Sequence, residues 1–316
     1  MVLILQENEV SALIDRANAA QAIESVYREA ALGGAAVSRP SAMRLRGASG
    51  GGATFKVKGA VLDARGVAGF RLIGDLDHPP GASVSYIYLV DASTAEPLAL
   101  IAEAGLSRVR TALTGLVTCR ALARADARRM ALVGTGRIAE EFVRCLPLVS
   151  PERSVLVASR SQERALAAAQ RWRDLTDATI EAAPSIKAAL AQADIVVTLS
   201  DANERLFGAD DLREATLVCA MGGRHEFDSD VLDWAQRLIV DEFDFVCDTG
   251  NGAHWLASGQ ITRERLAAKV EATIGQVLTH ENPKAGAGRT LAIIQGMAIC
   301  DVALAVSVYD RARANK

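Results

Sequence analysis

The chain has 316 residues, of which 50% are hydrophobic and 23% are charged, and its formal net charge is -3. A chain of this length usually forms two domains, and this composition excludes a disordered or fibrous protein. Because the sequence has neither a basic stripe nor a run of like charges, nucleic acid and anionic membranes are poor partners, and a small solute is expected instead.

The five cysteines are widely spaced without a CxxC pair, so we expect reduced core residues. The first ten residues become polar too soon for a secretory signal, and no apolar run approaches the ~18 residues of a membrane span. These features predict a cytoplasmic protein with no membrane partner. The four histidines show no metal-ligand spacing, so no metal site is expected.

The first part of the chain combines helical and strand patterns. Residues 9–31 have apolar positions at helical spacing, which predicts an amphipathic helix with a break near Asp15. Residues 47–52, GASGGG, are predicted to form a loop, because glycine loses the most backbone entropy on ordering. Short strand-like runs over residues 53–101 predict a largely antiparallel or mixed sheet, and a helical pattern follows over residues 106–125.

From residue 129 onward, strand and helix patterns alternate, and the strands are rich in apolar, β-branched residues. This alternation predicts a parallel, doubly wound sheet of Rossmann type. The final segment, LAIIQGMAICDVALAVSVYDRA, is predicted to be one long helix that returns to the first domain. The predicted fold class is therefore α/β, with a Rossmann domain over residues 123–291 and a discontinuous α+β domain over residues 1–122 and 292–316.

The segment MALVGTGRIAEEF carries the pattern G-x-G-x-x-A, formed by Gly134, Gly136 and Ala139, directly after a predicted strand. The first glycine permits a sharp turn, the second lets the backbone approach a pyrophosphate, and the alanine allows close helix–strand packing. The N-terminus of the following helix offers free N–H groups to the diphosphate. The pattern predicts a dinucleotide site, with a tight turn that binds no ligand as the alternative. The expected contacts of this turn also include Thr135, Arg137 and Ile138.

Cofactor choice is expected to depend on Ser159, Arg160 and Ser161 at the end of the next strand, and on Arg164 one helical turn later. NAD-specific sites place an acidic residue there, whereas arginine and hydroxyl donors bind a 2′-phosphate through charge-assisted hydrogen bonds. The sequence therefore predicts a preference for NADP(H), with NAD(H) also possible. The alternative is that these arginines only form a solvated helix start.

Several segments, in their order and spacing, resemble the ornithine cyclodeaminase/mu-crystallin family along most of the chain. They are LQENEVSALID, LSRVRTALTGLVTCRALA, VGTGRIAEEFV, ADIVVTLS and QGMAICDVALA, the last with Gly296, Met297, Ala298 and Asp301 in a Gly-Met-Ala-x-x-Asp pattern. The resemblance implies a homodimer in which the discontinuous domain binds substrate and forms the dimer contact. It also extends the expected cofactor contacts to the ends of two later strands, at Thr198, Leu199, Ser200, Met221 and Gly222.

The same resemblance implies that two arginines hold a substrate carboxylate. They match Arg39 in VSRP and Arg110 in RVRTAL, where Thr111 follows directly. Two guanidinium groups can bind a carboxylate bidentately and fix its orientation, so a small carboxylate is the expected substrate. An exposed loop arginine is the alternative for Arg39.

One departure from the family concerns proton transfer. In the family a lysine contacts the substrate within a segment that resembles VAGFRLIG, and here that position is Arg71. Arginine keeps its proton at any accessible pH and is a poor general acid or base. Lys58, which strand alternation places on the same face as Lys56, is the candidate to replace it if burial lowers its pKa. The alternative is that both lysines face solvent.

A second departure follows the strand VCAMGG. Cyclodeaminases of the family carry a catalytic aspartate just after the two glycines, whereas this chain has Arg224 there and a shortened loop, MGGRHEFDSD. His225 in this loop is a further candidate proton donor, with a surface histidine as the alternative.

The sequence therefore favours an NAD(P)H-dependent oxidoreductase, a ketimine reductase or amino-acid dehydrogenase acting on a small imino, amino or keto carboxylate. A cyclodeaminase with bound NAD is the second hypothesis. A non-catalytic NADPH-binding protein similar to mu-crystallin is the third.

Overall fold

The computed structural model describes residues 2–47, 52–77, 83–149, 154–214, 216–280 and 288–315. The chain divides into two compact units, the first formed by Met1–Arg110 with Gly296–Lys316 and the second by Thr111–Gln295. Most of the predicted loop over residues 47–52 lies outside the described residues, as does His78.

The helices are α1 (Glu7–Leu13), α2 (Arg16–Ala31), α3 (Ala104–Leu122), α4 (Arg137–Val149), α5 (Gln162–Trp172), α6 (Ile186–Leu190), α7 (Asp230–Trp234), α8 (Phe243–Asp248), α9 (Gly250–Ala257), α10 (Arg263–Lys269), α11 (Ile274–Thr279) and α12 (Ala298–Ala314). The strands are β1 (Leu3–Leu5), β2 (Ala35–Val37), β3 (Met43–Arg46), β4 (Ala53–Leu62), β5 (Val67–Leu76), β6 (Ser83–Asp91), β7 (Pro97–Ala102), β8 (Arg129–Val133), β9 (Ser154–Ala158), β10 (Ile180–Ala182), β11 (Ile195–Thr198), β12 (Leu217–Ala220), β13 (Arg237–Val240), β14 (Val270–Thr273) and β15 (Thr290–Ile293).

The first unit is built on a mixed sheet in the order β1-β7-β6-β5-β4-β2, with β3 paired to β4. Strand β1 is parallel to β7, and the other pairs of this sheet are antiparallel. Helix α12 packs on β4, β5 and β6, and α2 packs on α12. A Cβ atom added at Gly69 of β5 would lie 2.6 Å from Cγ2 of Val302, so a glycine is needed where α12 crosses the sheet.

The second unit contains an eight-stranded sheet in the order β10-β9-β8-β11-β12-β15-β13-β14, and every pair in it is parallel. Strands β8, β11, β12, β13 and β15 are almost fully buried, as expected for apolar strands covered on both faces. This is the doubly wound, Rossmann-type arrangement that the sequence predicts. The five cysteines are buried free thiols, and among the described residues no helix is long and apolar enough to span a bilayer.

The predicted final helix was wrong over its first seven residues, 291–297. Residues 290–293 form β15, which lies between β12 and β13, and the helix begins only at Ala298. A short apolar run has the same composition in a buried strand as in a buried helix, so its periodicity cannot distinguish them. Gly296, with a φ of 86°, separates the two elements. The helix itself belongs to the first unit.

The predicted break near Asp15 is the N-cap of α2. The Asp15 side chain accepts hydrogen bonds from the backbone N–H groups of Ala17 (3.1 Å) and Asn18 (3.2 Å), and it pairs with Arg311 of α12 (2.6 Å). The backbone N–H of Asn18 and the Arg311 guanidinium both hold the pKa of Asp15 below its ordinary value. The carboxylate therefore defines the start of the second helix.

The substitution Asp15→Ala is expected to lower the free energy of unfolding by about 1 kcal/mol, because it removes the cap of α2. Asp15→Asn keeps a capping side chain but loses the ion pair with Arg311, and exposed ion pairs contribute only about 0–1 kcal/mol. Urea denaturation of both variants measures the difference. Equal losses for Ala and Asn would mean that the ion pair, not the cap, carries the stability.

Candidate functional site

The glycine turn of the second unit connects β8 to the N-terminus of α4. Gly134 has a φ of 134°, and a Cβ atom there would lie 2.3 Å from the carbonyl oxygen of Leu199, so only glycine fits. A Cβ added at Gly136 would meet nothing within 4 Å, which leaves space for a ligand to approach the backbone. Ala139 is fully buried in the packing of α4. The three positions of G-x-G-x-x-A thus have the environments that a dinucleotide turn requires.

A cleft of about 430 Å³ opens over this turn. Of the predicted cofactor residues, the cleft is lined by Gly134, Thr135, Gly136, Ser159, Arg160, Arg164, Leu199 and Ser200. The other predicted contacts lie outside its lining; they are Arg137, Ile138, Ala139, Ser161, Thr198, Met221 and Gly222. The structure therefore collects residues from the ends of β8, β9 and β11 around one cavity, which suits an extended ligand with a diphosphate at the α4 N-terminus.

Arginine side chains line the side of the cleft that follows β9. Arg160 pairs with Glu204, and both side chains are exposed. Arg171, which the sequence analysis did not single out, also lines the cleft and is held by Glu140 at 3.0 Å. Arg164 is exposed, and its side chain has no ion-pair partner within the described ranges. Ser161 caps α5 by accepting from the backbone N–H of Arg164 (3.3 Å).

The first unit contains a buried cluster of charged side chains, which we call the Asp301 cluster. Its members are Lys58 on β4, Arg71 on β5, Glu103 before α3, Arg110 on α3 and Asp301 on α12, and each is less than 10% exposed. Asp301 forms ion pairs with Arg110 (Nε at 2.6 Å), Arg71 (a terminal nitrogen at 3.5 Å) and Lys58 (Nζ at 3.7 Å). Although burial opposes ionisation, these positive charges keep the pKa of Asp301 below its ordinary value.

Arg71 is fixed on several sides. Its Nε donates to Glu103 (2.8 Å) and a terminal nitrogen donates to the hydroxyl of Ser107 (2.8 Å). Burial raises the pKa of Glu103, while the charge of Arg71 opposes that shift. Within the cluster, three cationic side chains face two carboxyl groups, so an additional anion would be stabilised there.

Lys58 is 4% exposed, and its ammonium group donates to the carbonyl of Gly296. The alternative that this lysine faces solvent is therefore wrong. Lys56 is only partly buried, and its burial, together with the charge of Arg44, lowers its pKa. In the register of the sheet, Lys58 of β4 lies directly opposite Arg71 of β5, which explains how both side chains reach Asp301.

The predicted carboxylate clamp consists of Arg39 and Arg110, and among the described residues no bond joins the two arginines. Arg39 is exposed beyond β2 and precedes the cis peptide bond to Pro40. No hydrogen bond or ion pair joins it to the Asp301 cluster among the described residues. Thr111 is partly buried on α3 next to Arg110.

The loop after β12 places His225 against two partners. Its Nε2 lies 3.0 Å from Asp228, and its ring stacks on that of His254 from α9, with centroids 3.7 Å apart. Burial, and then the charge of His225, lowers the pKa of His254. Arg224, which follows the two glycines, is exposed.

The side chains of His225, Asp228 and His254 also have possible ligand atoms within 4.8 Å of one another. Sequence spacing missed this group because His254 comes from a separate helix. The near-parallel rings, 12° apart, direct their nitrogen lone pairs along parallel planes instead of toward one point. Asp228 additionally accepts from Gln260 (3.1 Å) and pairs with Arg205 (3.3 Å). The geometry therefore describes a hydrogen-bonded network better than a metal centre.

Two buried acids of these sites were missed as functional candidates by sequence reasoning. Asp301 was noted only as part of a family signature, and Glu226 was not singled out, although it is fully buried beside the loop after β12. A single acidic residue in an apolar segment is the signal that the sequence offers for Asp301, whereas Glu226 lies in the polar segment RHEFDSD and has no such signal. Their partners come from distant parts of the chain.

Comparison with known proteins is consistent with this arrangement. The family model described as the ornithine cyclodeaminase/mu-crystallin family matches residues 1–316. A Delta(1)-pyrroline-2-carboxylate reductase of Bacillus cereus is 26% identical over 72% of this chain and 70% of that protein. The NAD(P)H-dependent anabolic L-arginine dehydrogenase of Pseudomonas aeruginosa is 29% identical over 69% of this chain and 68% of that protein.

Among solved structures, an archaeal alanine dehydrogenase dimer with bound NAD superposes with a TM-score of 0.87 at 24% identity, covering 99% of this chain and 97% of that one. This similarity concerns the fold. Since the family model spans the whole chain, the protein belongs to the ornithine cyclodeaminase/mu-crystallin family.

Proposed function

We propose that the protein is an NAD(P)H-dependent oxidoreductase that reduces the C=N bond of a small imino carboxylate, or oxidises the corresponding amino acid. The observation that carries the proposal is the cleft over Gly134 and Gly136, whose shape and glycine environments suit a dinucleotide. The curated relatives support it, since one is a pyrroline-2-carboxylate reductase and another an arginine dehydrogenase. When bound, the nicotinamide cofactor supplies or accepts the hydride.

The Asp301 cluster is proposed to attract the substrate carboxylate. Its cationic side chains outnumber its carboxyl groups, and a buried positive charge is stabilised by an anion. Arg110 is the proposed principal contact, and its guanidinium is oriented by Asp301. Arg39 and Thr111 remain proposed contacts from the sequence.

Lys58 is the proposed proton donor to the substrate nitrogen. It is the one titratable cation of the Asp301 cluster, because Arg71 and Arg110 keep their protons at any accessible pH. The Gly296 carbonyl and Asp301 hold its ammonium group in place. His225 is a second proposed donor, and Asp228 orients its ring.

A cyclic imine whose nitrogen is already protonated would suit a site with an arginine in place of the family's lysine. Such a substrate needs less proton donation from the enzyme. A cyclodeaminase fits less well. Arg224 occupies the position after the glycines, and Glu226 is buried and hydrogen-bonded to Thr198 and Ser200. The next aspartate, Asp228, is engaged by His225, Gln260 and Arg205. It has no obvious freedom to act as a base. The altered lysine position favours, as the second candidate, a protein that binds cofactor and ligand without turnover.

The proposed activity is tested by mixing the protein with NADPH or NADH and a panel of cyclic imine carboxylates, and of 2-keto acids with ammonia, while absorbance at 340 nm is followed. We expect oxidation of the cofactor with at least one member. Lys58→Met should lower kcat by about 10²-fold or more, because general acid catalysis contributes about 10²–10⁴-fold. Lys58→Arg keeps the charge and should be equally slow, whereas Lys269→Met on α10 should be normal.

Tight NADPH binding with no turnover across the panel would favour the binding protein. Ammonia release from a diamino acid without a net change at 340 nm would favour the cyclodeaminase. An unimpaired Lys58→Arg variant would remove the assignment of Lys58.

NADP(H) is proposed as the preferred cofactor. Ser159 stands at the end of β9 where an acid would repel a 2′-phosphate, and Arg160 and Arg164 line the same cleft. Arg164 is proposed as the main contact with the 2′-phosphate, because Arg160 is already paired with Glu204. NAD(H) remains an accepted alternative.

Arg164→Ala is expected to raise the KM for NADPH by about tenfold, because it removes a charge-assisted hydrogen bond to the 2′-phosphate. The KM for NADH should change little. Arg173→Ala, an exposed arginine in the turn after α5, is the matched control. Parallel losses for NADPH and NADH would contradict a 2′-phosphate contact at Arg164.

A homodimer is also proposed, through the face of the first unit's sheet opposite α12. Alternation and register place one set of exposed apolar side chains on this face: Ile4, Leu45, Phe55, Phe70, Leu72, Val84 and Tyr88. Phe70, for example, is 47% exposed and lies opposite Tyr88. These side chains come from β1, β3, β4, β5 and β6, and an exposed apolar face of this extent is unusual on a monomer and marks an association surface. A second copy fits because apolar faces of this kind are self-complementary.

Sedimentation is expected to give twice the chain mass for the wild type, and the monomer mass for Phe70→Lys, because a charge in an apolar contact is costly to desolvate. Leu166→Lys places the same charge at an exposed apolar position on α5 and should leave the dimer intact. A wild-type monomer, or dissociation by Leu166→Lys alone, would refute this interface.

A further inference from the structure

Glu226 is a fully buried acid in the loop that follows β12, within the segment MGGRHEF. Its neighbours Arg224 and His225 are exposed and partly buried, whereas Phe227 on its other side is fully buried as well. A buried carboxylate is costly unless hydrogen bonds compensate for its lost hydration. Its bonding partners therefore reveal why it is there.

The carboxylate accepts from two strand ends. Its Oε2 receives the hydroxyl of Thr198 at 2.5 Å, and its Oε1 receives the hydroxyl of Ser200 at 2.6 Å and the backbone N–H of Ser200 at 3.3 Å. The backbone N–H of Gly222, just beyond β12, also favours the ionised form of this carboxylate. These contacts connect the end of β11 with the loop after β12.

The backbone of Glu226 is fixed independently. The side-chain oxygen of Asn251 on α9 accepts from the N–H groups of Glu226 (2.8 Å) and Phe227 (3.2 Å). A Cβ atom added at Gly222 would lie 2.2 Å from a carboxylate oxygen of Glu226, so the carboxylate packs directly on the glycine backbone. The acid is thus held at both ends and has little freedom to move.

Glu226 holds the segment 198–200, and part of this segment lines the cleft. Ser200 lines it, and Leu199, between the two hydroxyl residues, packs its carbonyl against Gly134 in the glycine turn. A shift of the segment 198–200 would therefore change the cleft on the side opposite α4. In a doubly wound sheet, strands β8, β9 and β10 form the adenosine half of a dinucleotide site. Strand β11 and the strands that follow it in the sheet order form the nicotinamide half.

We propose that Glu226 is a positioning residue for the nicotinamide half of the cofactor site: it joins the ends of β11 and β12 so that both keep the shape that the dinucleotide requires. This inference rests on the proposed function. Glu226 acts through Thr198, Ser200 and Gly222 and is not assigned a contact with substrate.

The ionisation of Glu226 has a predictable direction. Burial raises its pKa, and the hydroxyl and N–H donors only partly oppose that effect. The ionised form accepts from every donor, whereas a protonated carboxyl must turn one oxygen into a donor and lose a contact. Cofactor affinity should therefore fall as the pH is lowered through a pKa above that of an ordinary glutamate.

Because the pKa of Glu226 is raised, its effect on cofactor binding can be measured separately from its effect on folding stability. A folded-state pKa above the unfolded value means that, at neutral pH, the ionised carboxylate favours the unfolded state. Glu226→Gln should therefore fold with a Tm close to the wild type. A loss of cofactor affinity in that variant cannot then be attributed to unfolding.

The test measures, by calorimetry, the Kd of the wild type, Glu226→Gln and the control Glu181→Gln, an exposed acid on β10. The ligands are NADPH, NADH and the adenosine fragments 2′,5′-ADP and AMP. For the dinucleotide that the wild type prefers, we expect Glu226→Gln to raise the Kd about tenfold, because charge-assisted hydrogen bonds to the two strand ends are lost. The Kd of the adenosine fragment should change less than about twofold, because that half is bound beyond the reach of Glu226.

A double-mutant cycle with Ser200→Ala adds a second readout. If Glu226 acts through Ser200, the double variant should bind no more weakly than Glu226→Gln alone, and the pH dependence of binding should disappear in both. Additive effects, or equal dinucleotide affinity in wild type and Glu226→Gln, would overturn the inference while leaving the proposed function intact. A wild type that binds neither dinucleotide would instead overturn the proposed function.

Discussion

Asp301 has no exposed surface, and its negative charge is tolerated because Arg110, Arg71 and Lys58 surround it. Removing one partner of such a buried group typically costs about 3–5 kcal/mol, since the remaining charge is left without compensation. The contacts come from α12, α3, β5 and β4, so one carboxylate connects the C-terminal helix to the helix and strands that precede the second unit. The return of the chain after residue 295 is therefore a structural necessity for the first unit.

The same cluster provides the chemistry proposed for the protein. An excess of buried cationic side chains is expensive in an isolated domain, and natural proteins usually keep such an arrangement where an anion binds. Arg71 shows how the site differs from its family pattern. It is fixed by Glu103 and Ser107, and its guanidinium holds charge but transfers no proton, so Lys58 is the proposed titratable group.

Sequence patterns predicted the features that depend on local physics. The helix break near Asp15 and the glycine turn at Gly134 each follow from neighbouring residues, and the buried parallel strands follow from runs of β-branched residues. The assignment of residues 291–293 to a helix failed because a buried strand and a buried helix share that composition. The central roles of Asp301 and Glu226 stayed hidden because their partners are brought together only by the fold.

The central proposal for this protein is that the first unit binds a carboxylate through its buried cations. The direct measurement is a calorimetric titration, at saturating reduced cofactor, with pyrrole-2-carboxylate and with its uncharged carboxamide. These ligands share a planar ring and differ in the charge that the Asp301 cluster should recognise. The account predicts that the carboxylate binds at least about tenfold more tightly. Equal affinities, or binding of the carboxamide alone, would contradict it.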